Sequence, residues 1–212
     1  MGKNTFLTLM ISLVIIILFI TLFINRILPP ANLEILEQST QKVNIEFENL
    51  NLGTNPGAEI NFIEFGDFKC PYCAQMAPDI SKLIESYPQI NYIYKHFPPD
   101  NDESPRAAIA SECARAQNKF LEYHDILFER QIDFSYNKLL GFANELNLNI
   151  DDFKDCMENF HPLEKIENDI KEAQLANVKG TPTLFINNRR LDGVQPYSNL
   201  RLLIEQELIR VK

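Results

Sequence analysis

Hydrophobic and polar positions divide this chain into an apolar leader and a region of alternating periods. From Phe6 to Ile24 nineteen residues run without a charge, and as a helix they would span about 28 Å, close to the roughly 30 Å of a bilayer's hydrocarbon core. That run is long for the 7–15-residue core of a cleaved signal, and Asn25-Arg26-Ile27-Leu28-Pro29-Pro30 offers no small-x-small cleavage site. Residues 1–26 therefore read as an N-terminal transmembrane anchor, with a signal sequence as the alternative. A polar stretch over 27–42, stiffened by Pro29-Pro30, reads as a spacer.

Beyond it the period changes. Val43, Ile45 and Phe47 alternate with polar residues, predicting a strand over Val43–Glu48. Ile60–Phe65 and Ile90–Phe97 predict two more strands around a helical stretch from Ala74 to Tyr87, which together make a βαβ unit. Thr183–Ile186 and Arg190-Leu191 flank Asn187-Asn188 as a hairpin, and Asn199–Val211 closes the chain as an amphipathic helix. The roughly 85 residues between Phe97 and Pro182 carry helical stripes, Ile109, Cys113, Ala116, Phe120 and Leu127 in one and Phe153, Met157 and Phe160 in another. The predicted architecture is one α/β domain over 43–212 with a helical insertion at about 99–178. The roughly 185 residues after the leader suit one domain with a real core. A net charge of −9 opposes nucleic-acid binding, which needs a basic face.

The chemistry sits at the junction of the second strand and its helix, in Cys70-Pro71-Tyr72-Cys73. Two thiols in the first turn of a helix lie close enough to close a disulfide. The first also meets unsatisfied backbone N–H groups at the positive end of the helix dipole, which favours thiolate, the form that attacks a disulfide. Cys70 is thus the expected nucleophile and Cys73 the resolving thiol. Pro71 wastes no N–H at the first helical position, and Tyr72 packs or contacts partners. A CxxC is also half of a zinc knuckle, but a structural zinc site needs four ligands. Cys113 and Cys156 stand 43 residues apart, and His96, His124 and His161 are scattered, so no metal is assigned. His96 and His124 read as structural.

The segment Ile63–Cys73, with Asn55-Pro56-Gly57-Ala58, Tyr94–Pro98, Lys119–Phe128 and Gly180-Thr181-Pro182-Thr183 in order, resembles the DsbA-like thiol–disulfide oxidoreductases of the thioredoxin superfamily. The resemblance covers about residues 53–211 and implies a thioredoxin fold with an inserted helical subdomain. It makes Glu64, six residues before Cys70, a buried acid that moves protons to or from Cys73; an edge-strand glutamate in water is the competing reading. It makes Thr181-Pro182 the cis-proline loop facing the CxxC, where the Thr181 backbone pairs with a substrate strand. Cys113 and Cys156 fall on apolar stripes and are either small buried hydrophobes or a second disulfide such as some relatives carry.

The resemblance implies disulfide formation in secreted or extracytoplasmic proteins. The expected partners are newly secreted cysteine-containing chains and a DsbB-like membrane reoxidase, with no metal or organic cofactor. The cysteine usage places the domain on the periplasmic or cell-surface side of the membrane. Two alternatives stay open: a membrane-anchored reductase or isomerase, and a redox-silent peptide-binding module.

Overall fold

The computed structural model describes residues 10, 12–19, 41–42, 46–99 and 103–211. It divides into two units, Met1–Thr40 and Gln41–Lys212. In the first, residues 12–19 are helical, and Leu13 through Phe19 expose half or more of their surface. Residues 6–9, 11 and 20–24 of the expected anchor lie outside the described residues, as do 27–40 of the expected spacer. Among the described residues no helix is long and apolar enough to cross a membrane.

The second unit is built on a five-stranded sheet in the order β1-β5-β4-β2-β3. Its strands are β1 (Gln41–Lys42), β2 (Ile60–Gly66), β3 (Ile90–His96), β4 (Thr183–Ile186) and β5 (Arg189–Asp192). β2 and β3 are parallel, joined by helix α1 (Pro71–Ser86), and the other pairings are antiparallel. β1 precedes the strand expected over Val43–Glu48; Val43–Ile45 lie outside the described residues, and Glu46–Glu48 are not strand. Phe47 nonetheless reaches the core, its ring 4.9 Å from that of Phe185.

Between β3 and β4 the described residues form five helices: α2 (Glu103–Arg115), α3 (Phe120–Glu129), α4 (Tyr136–Glu145), α5 (Ile150–Glu158) and α6 (Leu163–Leu175). The stripe from Ile109 to Leu127 is not one helix. Asn118 takes φ 59°, a left-handed conformation that Asn tolerates, and the chain turns there, leaving Ala116 exposed. Phe160 likewise falls beyond α5 at φ 51° and is exposed. Helix α7 (Tyr197–Arg210) ends the fold.

Both faces of the sheet are covered, as a strand buried along nearly its whole length requires. Period-two alternation sends Ile60, Phe62, Tyr92, Tyr94, Leu184 and Ile186 into the large core, where buried residues of α1 to α7 meet them. Ile63, Phe65, Ile93 and Phe185 point the other way, into a smaller core completed by Ala173 of α6. Glu64 shares its parity with Ile60 and Phe62, so the strand carries a carboxylate into the large core, beneath the start of α1. Gly66 ends β2 because a side chain there would meet the Tyr94 ring and hydroxyl, with the hydroxyl oxygen 2.5 Å from a Cβ.

Candidate active site

Cys70 caps α1 in an extended conformation, and Pro71 follows as the first helical residue. Its thiol is half-buried and Cys73 is fully buried, both unbonded. The Cys73 thiol donates to the Cys70 sulfur, which holds the Cys70 pKa down at about 5 against the cost of partial burial. A hydrogen bond from the Thr181 side chain and the backbone N–H groups of Cys73 and Tyr72 add to this. The Thr181 carbonyl oxygen stands 3.3 Å from the same sulfur. That contact suits only the protonated thiol, so the donors to the sulfur decide the balance. The same Cys73–Cys70 bond, burial and the Glu64 charge drive the Cys73 thiol far above its ordinary range. One sulfur is thereby an anion at neutral pH and its neighbour an acid.

The Thr181–Pro182 peptide is cis, and the loop that brings Thr181 to Cys70 is tied down on both sides. The Thr183 hydroxyl donates to the Gly180 carbonyl at 2.8 Å, and the Gly193 N–H donates to the Pro182 carbonyl at 2.9 Å. Tyr72, between the two cysteines, is 60% exposed, an aromatic ring held in solvent beside the reactive sulfur.

Glu64 is 1% exposed, and burial raises its carboxyl to about 7. A 2.7 Å hydrogen bond donated by the Tyr92 hydroxyl opposes that rise, and negative charge on Cys70 adds to it. The glutamate belongs to the core and not to a wet sheet edge.

Four residues contribute beyond the site assigned from the sequence. The Gln131 side-chain amide donates to the carbonyls of Phe68 and Cys70, at 2.8 and 2.9 Å, and so fixes the CxxC entry from the loop after α3. Lys69 pins that loop, donating to the Gln131 carbonyl at 3.0 Å and pairing with Glu103 at 2.6 Å. Tyr92 and His124, the latter read as structural, lie on the far side of Glu64, with His124 Nε2 3.3 Å from the Tyr92 hydroxyl. Offset along β3 from the register partner of Glu64, Tyr92 could have been found only by pairing the strands. Cys113 of α2 and Cys156 of α5 are joined by a disulfide with Cα atoms 5.8 Å apart, distant in sequence from the CxxC.

A sequence-family profile described as Thioredoxin matches residues 49–206. Among solved structures, the thiol–disulfide exchange protein alpha-DsbA2 from Wolbachia pipientis superposes with a TM-score of 0.68 at 23% identity, over 73% of this chain and 84% of that one. BdbD from Bacillus subtilis, in its oxidised form, gives 0.68 at 23% identity over 80% and 97%. A thioredoxin-like oxidoreductase from Silicibacter pomeroyi gives 0.66 at 25% identity over 72% and 88%. The curated relatives differ in kind. A Na(+)/H(+) antiporter NhaA 1 of Salinispora arenicola is 37% identical over 139 residues, which is 64% of this chain and 21% of the antiporter. The chain spans about a fifth of the length of such relatives, so what they share is one domain. By the profile that runs from ahead of β2 into α7, and by an architecture it holds in common with DsbA-like thiol–disulfide oxidoreductases, the chain belongs to the thioredoxin family.

Proposed function

We propose that this protein is a DsbA-like thiol–disulfide oxidoreductase that donates its Cys70–Cys73 disulfide to newly secreted proteins outside the cytoplasm. The observation that carries the reading is the stabilised Cys70 thiolate: a reduced form held by hydrogen bonds to sulfur gives its disulfide away readily. A substrate thiolate attacks Cys70 Sγ, the Cys70–Cys73 bond breaks, and its electron pair leaves on Cys73. Glu64, with a carboxyl near 7, gives a proton to that buried sulfur. A second substrate thiolate then attacks the mixed disulfide and Cys70 leaves as thiolate, so the substrate is oxidised and the domain reduced. Electrons travel in sulfur–sulfur bonds throughout, a reaction that calls on neither a metal nor an organic cofactor.

The Thr181 backbone, beside Cys70, pairs with the substrate as an added strand, and exposed Tyr72 meets its side chains. Residues 1–26 anchor the domain in the membrane, in keeping with the uncharged run from Phe6 to Ile24 and the exposed apolar side chains of residues 13–19. A membrane reoxidase of the DsbB type restores the disulfide from the same side. The Cys113–Cys156 bond is structural and fits an oxidising compartment.

Incubation of variants with a reduced, unfolded protein substrate tests the assignment. Cys70→Ser abolishes exchange, whereas Cys73→Ser accumulates mixed disulfides; trapping by the Cys70 variant instead would overturn the roles.

A further inference from the structure

The buried acid beneath the cysteines is the inner end of a chain of hydrogen-bonding side chains. Tyr92 Oη lies 2.7 Å from Glu64 Oε2 and 3.3 Å from His124 Nε2. On the other side of the imidazole, His124 Nδ1 lies 2.9 Å from Asp125 Oδ1. Glu64, Tyr92 and His124 are each at most 2% exposed, while the Asp125 side chain is 46% exposed. The series begins under Cys73 and ends in water.

Donors and acceptors along it match in one arrangement. With Glu64 protonated, its O–H donates to the Tyr92 oxygen, the Tyr92 O–H donates to His124 Nε2, and His124 Nδ1–H donates to the Asp125 carboxylate. Each hydrogen then has one acceptor. The ionised Glu64 instead takes the Tyr92 hydrogen, and the Tyr92 oxygen must accept a hydrogen from His124 Nε2. Nδ1 is then the bare nitrogen of the ring and faces the Asp125 end. Loss of the Glu64 proton to Cys73 is therefore answered by a hydrogen from water entering at the Asp125 end.

We propose that Asp125, His124 and Tyr92 form a proton relay that recharges Glu64 from solvent each time Cys73 is released. The inference rests on the disulfide-exchange reading above. In each exchange one proton passes from Glu64 to the Cys73 thiolate, one from Tyr92 to Glu64, one from His124 Nε2, the protonated nitrogen of the oxidised form, to Tyr92, and one from water by way of Asp125 to the bare Nδ1; reoxidation of the cysteines sends the protons back the same way and restores the Nε2–H tautomer. The relay residues touch no substrate; they position and supply the acid that does.

Other ionisable groups facing the path bear on it. Tyr94 of β3 and both cysteines of α1 face Glu64, and their charges oppose its ionisation or are opposed by it. Arg115 of α2 faces His124 and disfavours its cationic form. The ring is also enclosed by Phe68, Phe120 and Phe128, with centroids 4.8 to 5.7 Å away. Such an enclosure keeps the imidazole neutral, and the relay passes between its two neutral tautomers. It also gives His124 an ordinary packing role, which the test has to separate from proton transfer.

The test uses the full chain in detergent, turning over a peptide dithiol repeatedly with oxidised glutathione in excess across pH 5 to 9. Tyr92→Phe and His124→Gln each slow the reaction by about tenfold, less than the full ~100-fold of a lost general acid because water replaces part of the path. A path in series is broken once, so the double variant is no slower than either single one. Alkylation of reduced Cys70 by iodoacetamide needs no proton at Cys73 and keeps its wild-type rate. Asp125→Asn, on the surface and harmless to folding, slows the turnover by a smaller factor and carries the test if His124→Gln does not fold. Unchanged rates in Tyr92→Phe and Asp125→Asn, losses that multiply in the double variant, or alkylation that slows in parallel would each overturn the relay. Absence of any oxidation by the wild type would instead reject the exchange reading itself.

Discussion

Two glutamates in this fold are almost equally buried and behave in opposite ways. Glu64, 1% exposed, meets a phenol and two sulfurs, and burial raises its carboxyl to about 7. Glu112, 6% exposed, pays the same burial cost but is held well below the ordinary carboxylate range, because His96 bonds to it at 2.7 Å and Lys165 and Arg115 add positive charge. The second belongs to a network that ties α2 and α6 to β3, with Lys95 paired to Asp169 and Glu172 and Asp169 accepting from the His96 N–H. The lesson is that burial alone does not set a carboxyl's character. Cations make Glu112 a fixture of the insertion, whereas among the described residues the groups that shift Glu64 are Tyr92 and Cys70, which leaves an acid able to change protonation near neutral pH.

The largest effect expected from this contrast is on Glu112. Glu112→Gln takes the carboxylate from buried His96 and one of the two that Lys165 pairs with, and should cost about 3–5 kcal/mol at pH 7, read from urea unfolding. Since its pKa is lowered on folding, the stabilisation it supplies is present above the unfolded value of 4.5 and is lost as pH falls through the folded one. A small cost would mean that the network is dispensable.

Glu64→Gln should do the reverse. A carboxyl whose pKa rises from 4.5 to about 7 on folding makes the protein less stable as pH climbs through that window. The variant should therefore exceed the wild type by up to about 3 kcal/mol at pH 8 and match it below pH 4.5, the shift converted at about 1.4 kcal/mol per pH unit. Equal stability at pH 8 would place Glu64 in a wetter or better paired site.

Tyr92→Phe sharpens the comparison on a finer scale. The Tyr92 hydroxyl bond is what lowers the Glu64 pKa against burial, so its removal should move the Glu64 midpoint above 7 in a carboxyl carbon NMR titration. A midpoint that stays or falls would remove Tyr92 from the site. The smallest change in stability is expected at Tyr72, which is exposed. Tyr72→Ala should alter unfolding by no more than about 0.5 kcal/mol while slowing exchange with an unfolded protein more than with a small disulfide. Equal slowing of both would mean that the ring tunes the cysteines and does not meet substrate.

The sequence announces what local pattern can carry. The CxxC at a strand-to-helix junction, the hairpin around Asn187 and Asn188, and the helical insertion are each written in a short window of residue types. Glu64 was legible only through the family resemblance, which implies a buried acid six residues before the first cysteine; the period of its strand said which face it takes, not whether water reaches it. The relay partners were not legible, because Tyr92 meets Glu64 only through the parallel register of β2 and β3, and His124 arrives from an inserted helix. Gln131 acts from an irregular loop without a pattern to read. The stripe from Ile109 to Leu127 misled because a helical period continues in sequence across a left-handed Asn118, while the chain itself turns.

At the centre of the account stands one sulfur ionised at neutral pH beside another that keeps its proton. Ultraviolet titration of the reduced protein, following thiolate absorbance from pH 3 to pH 10 in the wild type and in Cys70→Ser, reads both directly. A single thiolate should appear with a midpoint of about 5 in the wild type, with no second one up to pH 10, and the midpoint at about 5 should be missing in the variant. Two thiols titrating together near the ordinary value of 9 would contradict it.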